Sequence, residues 1–164
     1  MKTRKIMLIL FVILIVSGCQ KQSSIEYVEK NLKIEISDGK VVNELNKEES
    51  FNGDGQRIIK ININKDKFTD QIKNNKEWNT ECNIIINTVL YGYEDEKNSI
   101  DPIISEEDKP IIPKIKKGYY YFKDKNNASV NQNNLDYFEQ YSYNFVVAVY
   151  DCKTSILYYC EYDS

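Results

Sequence analysis

The chain has 164 residues, 41% of them hydrophobic and 29% charged, with four cysteines, no histidine and a formal net charge of −3. That length fits one domain, and the composition excludes a wholly disordered chain, a collagen and a cysteine-dense disulfide scaffold. The missing histidine removes the usual general base, the usual partner of a Ser or Cys nucleophile and the commonest zinc ligand, so no catalytic residue, metal ligand or cofactor is assigned.

Residues 1–18 read as a segment to be removed rather than folded. Lys2, Arg4 and Lys5 form a basic start, and residues 6–16 are an unbroken apolar run. As a helix this run rises only about 16 Å, whereas a bilayer core needs roughly 20 residues, so it is the apolar region of an export signal. Val16-Ser17-Gly18-Cys19 follows, and small residues directly before a cysteine resemble the lipobox of bacterial lipoproteins. The resemblance implies cleavage before Cys19, a diacylglyceryl group on its thiol and a lipid-anchored protein on the extracytoplasmic face of the cell membrane. Two acyl chains hold a domain of this size stably.

Cleavage would leave 146 residues with 19 basic against 25 acidic side chains, a net charge of −6. An acidic exported domain is a poor nucleic-acid binder, and an anionic membrane surface repels it, leaving the lipid to do the tethering. Twenty lysines against two arginines, 18 asparagines and 22 isoleucines are what an AT-rich genome writes, so Lys or Asn clusters are weak signs of a binding patch.

Residues 19–24 form the lipidated cysteine and a short polar tether, and residues 25–164 form the domain. Ser23 and Glu26 match a capping box, and Ile25, Val28 and Leu32 share a helical face, so a short helix opens the domain. Leu32, Ile34 and Ile36 alternate up to Asp38-Gly39, which is expected to turn a hairpin into Val41 and Val42. Residues 43–56 read as a polar stretch, with a tight turn at Phe51-Asn52-Gly53-Asp54-Gly55 held down by Phe51. Ile59, Ile61 and Ile63 alternate with Lys60, Asn62 and Asn64 as a half-buried strand.

Asp66 is expected to cap a helix over residues 67–75. Cys82, Ile85, Ile86, Val89 and Leu90 fit a helical stripe with Asn79 or Thr80 as cap and Gly92 past its end, although the run Ile84-Ile85-Ile86 suits a strand as well. Residues 94–117 hold all three prolines and read as an extended surface connection. Then come a strand at residues 119–122, an Asn-rich loop over 125–134, a helical turn within 135–141, and two strands, 145–150 and 156–162, joined as a hairpin. The order predicts one compact α+β domain: an antiparallel β-sheet with two or three short helices and a C-terminal β-hairpin.

Several stretches together resemble a family of small uncharacterised proteins, often exported, from Gram-positive bacteria. They are Glu29-Lys30-Asn31-Leu32, Asp38-Gly39-Lys40-Val41-Val42, the Phe51–Gly55 turn, Trp78, Leu90-Tyr91-Gly92, Gly118-Tyr119-Tyr120-Tyr121-Phe122, Tyr143-Asn144-Phe145 and the closing hairpin. Similar sequences carry histidines around the Gly-Asp-Gly turn, where this chain has Glu48 and Asn52. The resemblance implies a single domain and no activity.

Candidate sites are few. Asp54 lacks the alternating ligands of a calcium loop and the Lys-Ser/Thr of a phosphate loop, so a turn accounts for it. With Cys19 lipidated, Cys82, Cys152 and Cys160 are an odd set whose spacing is no zinc signature. Cys152 and Cys160 sit too far apart on the last hairpin to bridge, and a Cys82–Cys160 disulfide or three free thiols are both compatible with the sequence. Ten of thirteen tyrosines lie at or after position 119, where they could stack on a glycan or simply fill both sides of a β layer. The carboxylate runs Glu94-Asp95-Glu96 and Glu106-Glu107-Asp108 read as solvated. The expected function is therefore a non-catalytic binding domain with a protein or glycan partner at the cell surface. A carboxylate-based hydrolase of cell-wall material and an immunity or inhibitor protein are the alternatives.

Overall fold

The structure is a computed structural model that describes residues 22–48, 55–107, 109–127 and 129–164. The chain builds α1 (Ser24–Leu32), β1 (Lys40–Glu48), β2 (Gly55–Asn62), α2 (Lys65–Lys73), β3 (Trp78–Asn79) and α3 (Ile84–Tyr91). Two short ribbons follow, β4 (Tyr93–Glu94) with β5 (Ser99–Ile100) and β6 (Ser105–Glu106) with β7 (Lys109–Pro110). Then come β8 (Gly118–Asp124), a 3-10 turn (Asp136–Glu139), β9 (Asn144–Asp151) and β10 (Ile156–Asp163).

Six strands form one antiparallel sheet in the order β1-β2-β10-β9-β8-β3. β9 and β10 are the expected hairpin, and β8 completes a meander with them. β10 also pairs along its whole length with β2, from Ile156 opposite Asn62 to Asp163 opposite Gly55. The α+β fold expected from the sequence is the one observed.

Both faces of the sheet are covered, which explains why its central strands read as almost continuous apolar runs. On the first face, Val28 and Leu32 of α1 and Phe68 and Ile72 of α2 pack over Ile59, Ile61, Tyr121, Ala148, Tyr150, Leu157 and Tyr159. On the second, Ile85, Ile86, Val89 and Leu90 of α3 pack with Ile104 and Ile112 over Ile58, Tyr120, Phe122, Phe145, Val147, Val149 and Cys160. Successive residues of β10 alternate between the two cores, so neither face is left to water.

α1 begins as expected. The Ser23 hydroxyl accepts from the Glu26 N–H at 3.2 Å, and the Glu26 carboxylate accepts from the Ser23 N–H at 3.1 Å. Lys33 then leaves the helix in a left-handed conformation, φ 53°. Five other expectations are corrected. Residues 34–36 form no strand and Asp38-Gly39 turns no hairpin: Ile34 and Ile36 are buried as an extended segment pinned by the Glu29 carboxylate, which accepts from the Ile36 N–H at 2.6 Å. The polar stretch from residue 43 is β1, an edge strand that runs to Glu48. A register shift between Val41 and Asn43 turns Val41 toward the first core and Leu45 toward the second, so its few apolar residues keep no single alternation.

The second helix starts at Lys65 with Asn64 as N-cap, so Asp66 lies inside its first turn and not at the expected cap position. The third is a helix rather than a strand, but its cap is Asn83, whose side-chain oxygen accepts from the Ile86 N–H at 2.9 Å, while Asn79 belongs to β3. Gly92 ends this helix at φ 78°, with the Ile100 carbonyl 2.8 Å from where a Cβ would sit, so glycine is required there. Lastly, residues 94–117 are more than a surface connection. They make two ribbons and send Ile104 and Ile112 into the second core as a strap beside α3.

Candidate functional site

Cys19, Phe51 and, of the Gly-Asp-Gly turn, Gly53 and Asp54 lie outside the described residues, while Gly55 opens β2. The other expected features can be placed. Cys82, Cys152 and Cys160 are all free. Cys160 points into the second core, whereas Cys152 packs against the first, so the sheet itself separates them. Burial pushes both the Cys82 and Cys160 thiols up, Cys82 to about 11, which removes the thiolate a nucleophile or metal ligand needs. Among the described residues, no three His, Cys, Asp or Glu side chains cluster as a metal site requires. Also among them, no helix is long and apolar enough to cross a membrane.

The tyrosines divide between the two cores. Tyr121, Tyr150 and Tyr159 are buried on the first face, and Tyr120, Tyr137 and Tyr158 on the second. Several hydroxyls hold the strap and turn in place: Tyr120 donates to the Ile115 carbonyl, Tyr91 to that of Pro113 and Tyr143 to that of Phe138, each at 3.0 Å. Burial pushes the Tyr121 hydroxyl up to about 12. Tyr141 alone is fully exposed. The cluster of tyrosines after position 119 is thus chiefly core.

The carboxylate runs stay apart from one another in role. Glu94, Asp95 and Glu96 sit exposed on the first ribbon, where Asp95 accepts from the Lys97 and Asn98 N–H groups at 2.8 and 2.7 Å. These bonds, with one from the Tyr93 hydroxyl at 2.9 Å, hold the Asp95 carboxyl below its ordinary range. Glu106, on the second ribbon, pairs with Lys47 at 3.1 Å.

A denser polar network joins α1 to the sheet. Glu161 of β10 accepts from the Tyr27 hydroxyl at 2.6 Å and the Tyr159 hydroxyl at 3.3 Å, and it pairs with Lys125. Arg57 lies 4.3 Å from the Tyr27 ring centre and donates to Glu44 at 2.7 and 3.1 Å, while Ser24 donates to the other oxygen of Glu44 at 2.6 Å. Burial pushes the Glu161 carboxyl up, but Lys125 and the two hydroxyls outweigh it and hold the group below the ordinary 4.5. Each charge here has a partner, so the network reads as a clamp between helix and sheet.

Two concavities stand out elsewhere. A polar cleft of about 280 Å³ beside the end of β8 is lined by Glu77, Asn79, Lys123, Asp124, Asn127 and Gln132. Two of these are already committed: Asp124 accepts from the Asn126 and Asn127 N–H groups, and Gln132 accepts from the Asn83 amide at 2.6 Å. The larger, a groove of about 670 Å³, lies between the first ribbon and the 3-10 turn. Ile100, Ile103, Leu135, Phe138 and Tyr143 form its apolar lining, and all five stay half-exposed. Lys97, Asp136 and Glu139 stand exposed on its walls.

The sequence points to neither wall of this groove. Its residues come from positions 97–103 and 135–143, which the fold brings together across the edge of the second core. The one hint was the helical turn within 135–141. Comparison with protein-family models, curated proteins and solved structures finds no match.

Proposed function

We propose that the protein is an extracytoplasmic lipoprotein, held at the outer face of the cell membrane by a diacylglyceryl group on Cys19, and that its domain binds a protein or glycan partner without catalysing a reaction. The observation that carries the anchor is the run from Lys2 to Cys19, with its basic start, apolar stretch too short to span, and small residues before the thiol. The groove supports the binding role, because it gathers half-exposed apolar side chains on a molecule whose sheet faces are otherwise covered. The thiols and the Glu161 carboxylate support a non-catalytic reading. Of the first, Cys82 and Cys160 are pushed toward the inert protonated form, and the second is spent on three partners.

Metabolic labelling with palmitate tests the anchor. Label is expected in the wild-type protein and absent from Cys19→Ala, and a Cys19→Ala protein that still takes up label overturns it. Capture of a partner from the protein's own membranes tests the binding role.

A further inference from the structure

We propose that the groove between the first ribbon and the 3-10 turn docks a cationic amphipathic peptide segment, one that presents an apolar side chain flanked by Lys or Arg. This rests on the binding role above and gives it a partner chemistry. The apolar part follows from the lining: Ile100, Ile103, Leu135, Phe138 and Tyr143 converge on about 670 Å³, room for a few side chains rather than a flat contact. Three of the five, Ile103, Phe138 and Tyr143, also pack on the second core from the groove side.

The cationic part follows from the rim. Asp136 and Glu139 line one wall. The ribbon whose residues 97–100 line the other wall also carries exposed Glu94, Asp95 and Glu96 next to that lining in the chain, and exposed Asp101 follows it. Among the described residues that line the groove, Lys97 is the one cation. Singly, such exposed charges contribute little. Summed around a low-dielectric wall, they form a negative field that attracts a basic segment and repels an acidic one.

The full-length protein in nanodiscs of neutral phosphatidylcholine is the material for the test, with empty nanodiscs as the blank. Three fluorescent peptides of equal length are compared: Leu/Lys amphipathic, Leu/Glu amphipathic and Ser/Lys. The Leu/Lys peptide is expected to bind about tenfold more tightly than either of the others, and less tightly as salt is added. Asp136→Lys with Glu139→Lys is expected to cost about tenfold, and Leu135→Ser about threefold. Glu35→Lys with Asp38→Lys reverses two exposed charges on the first face and is expected to change affinity by less than about twofold. Equal binding of the Leu/Glu peptide overturns the proposal. So does a loss from the remote reversal as large as that from the groove reversal, which would mean attraction to net charge alone. If the Leu/Lys peptide fails to bind while a partner is still captured from membranes, this chemistry is wrong and the binding role stands.

Discussion

Removing the charge of Glu161 should loosen α1 from the sheet, and the structure sets the size of the effect. In Glu161→Gln, one side-chain oxygen still accepts from Tyr27, but the bond is no longer charge-assisted, and Lys125 faces an amide in place of its counter-ion. Weakening the first is worth about 1 kcal/mol. Loss of the second is worth about 0.5–1 kcal/mol, since Lys125 remains a third exposed and is screened. The expected cost at pH 7 is about 1.5–2 kcal/mol, a fall in melting temperature of roughly 3–8 °C for a domain of this size. The pH dependence follows from the lowered carboxyl. A group held below its ordinary 4.5 contributes stability that is fully present above that value and is lost as pH falls through the folded-state value. Urea unfolding of wild type and variant between pH 7 and pH 3 should therefore show a gap that is widest at neutral pH and closes in acid. A gap of constant size across this range, or none at pH 7, would refute the account of Glu161 as an ionised clamp.

Two further substitutions probe the second core. Ile104→Ala removes a fully buried side chain of the strap and should cost about 3 kcal/mol in urea unfolding, whereas a mere surface connection would lose almost nothing. Asn83→Ala deletes the bond to the Ile86 N–H and the donation to Gln132, and should lower stability by about 1–2 kcal/mol, with Asn83→Asp restoring most of the capping part.

How much of this could be read beforehand depends on how local each signal is. The cap of α1 and the β9–β10 hairpin were legible because Ser23 with Glu26, and two β-branched and aromatic runs around a short turn, settle their structure within a few residues. β1 was hidden because it lies at the sheet edge, where Asn43, Glu44 and Asn46 are exposed and no apolar period appears. The caps at Asn64 and Asn83 were misplaced by a few residues because polar residues able to cap stand on both sides of each helix start. Ile104 and Ile112 were hidden by the prolines and charges around them, which dominate any local reading. The groove is the extreme case, since Ile103 and Phe138 meet only once α3, the strap and the 3-10 turn have packed on the second face.

The position of β10 bears on the order in which the molecule can assemble. β2 and β9 never touch along their edges; β10 lies between them and is the one strand that joins the β1–β2 hairpin to the β8–β9 side. Its partners in β2 are roughly a hundred residues away in the chain, a separation that makes closure slow because the loop entropy is lost before the ladder repays it. Until residues 156–163 are available, both cores lack their central layer, and Ile58, Ile59, Ala148 and Val147 present apolar surface to water. A chain that crosses a membrane from its N-terminal end would therefore emerge unfolded through most of its length and acquire its fold in a single late step.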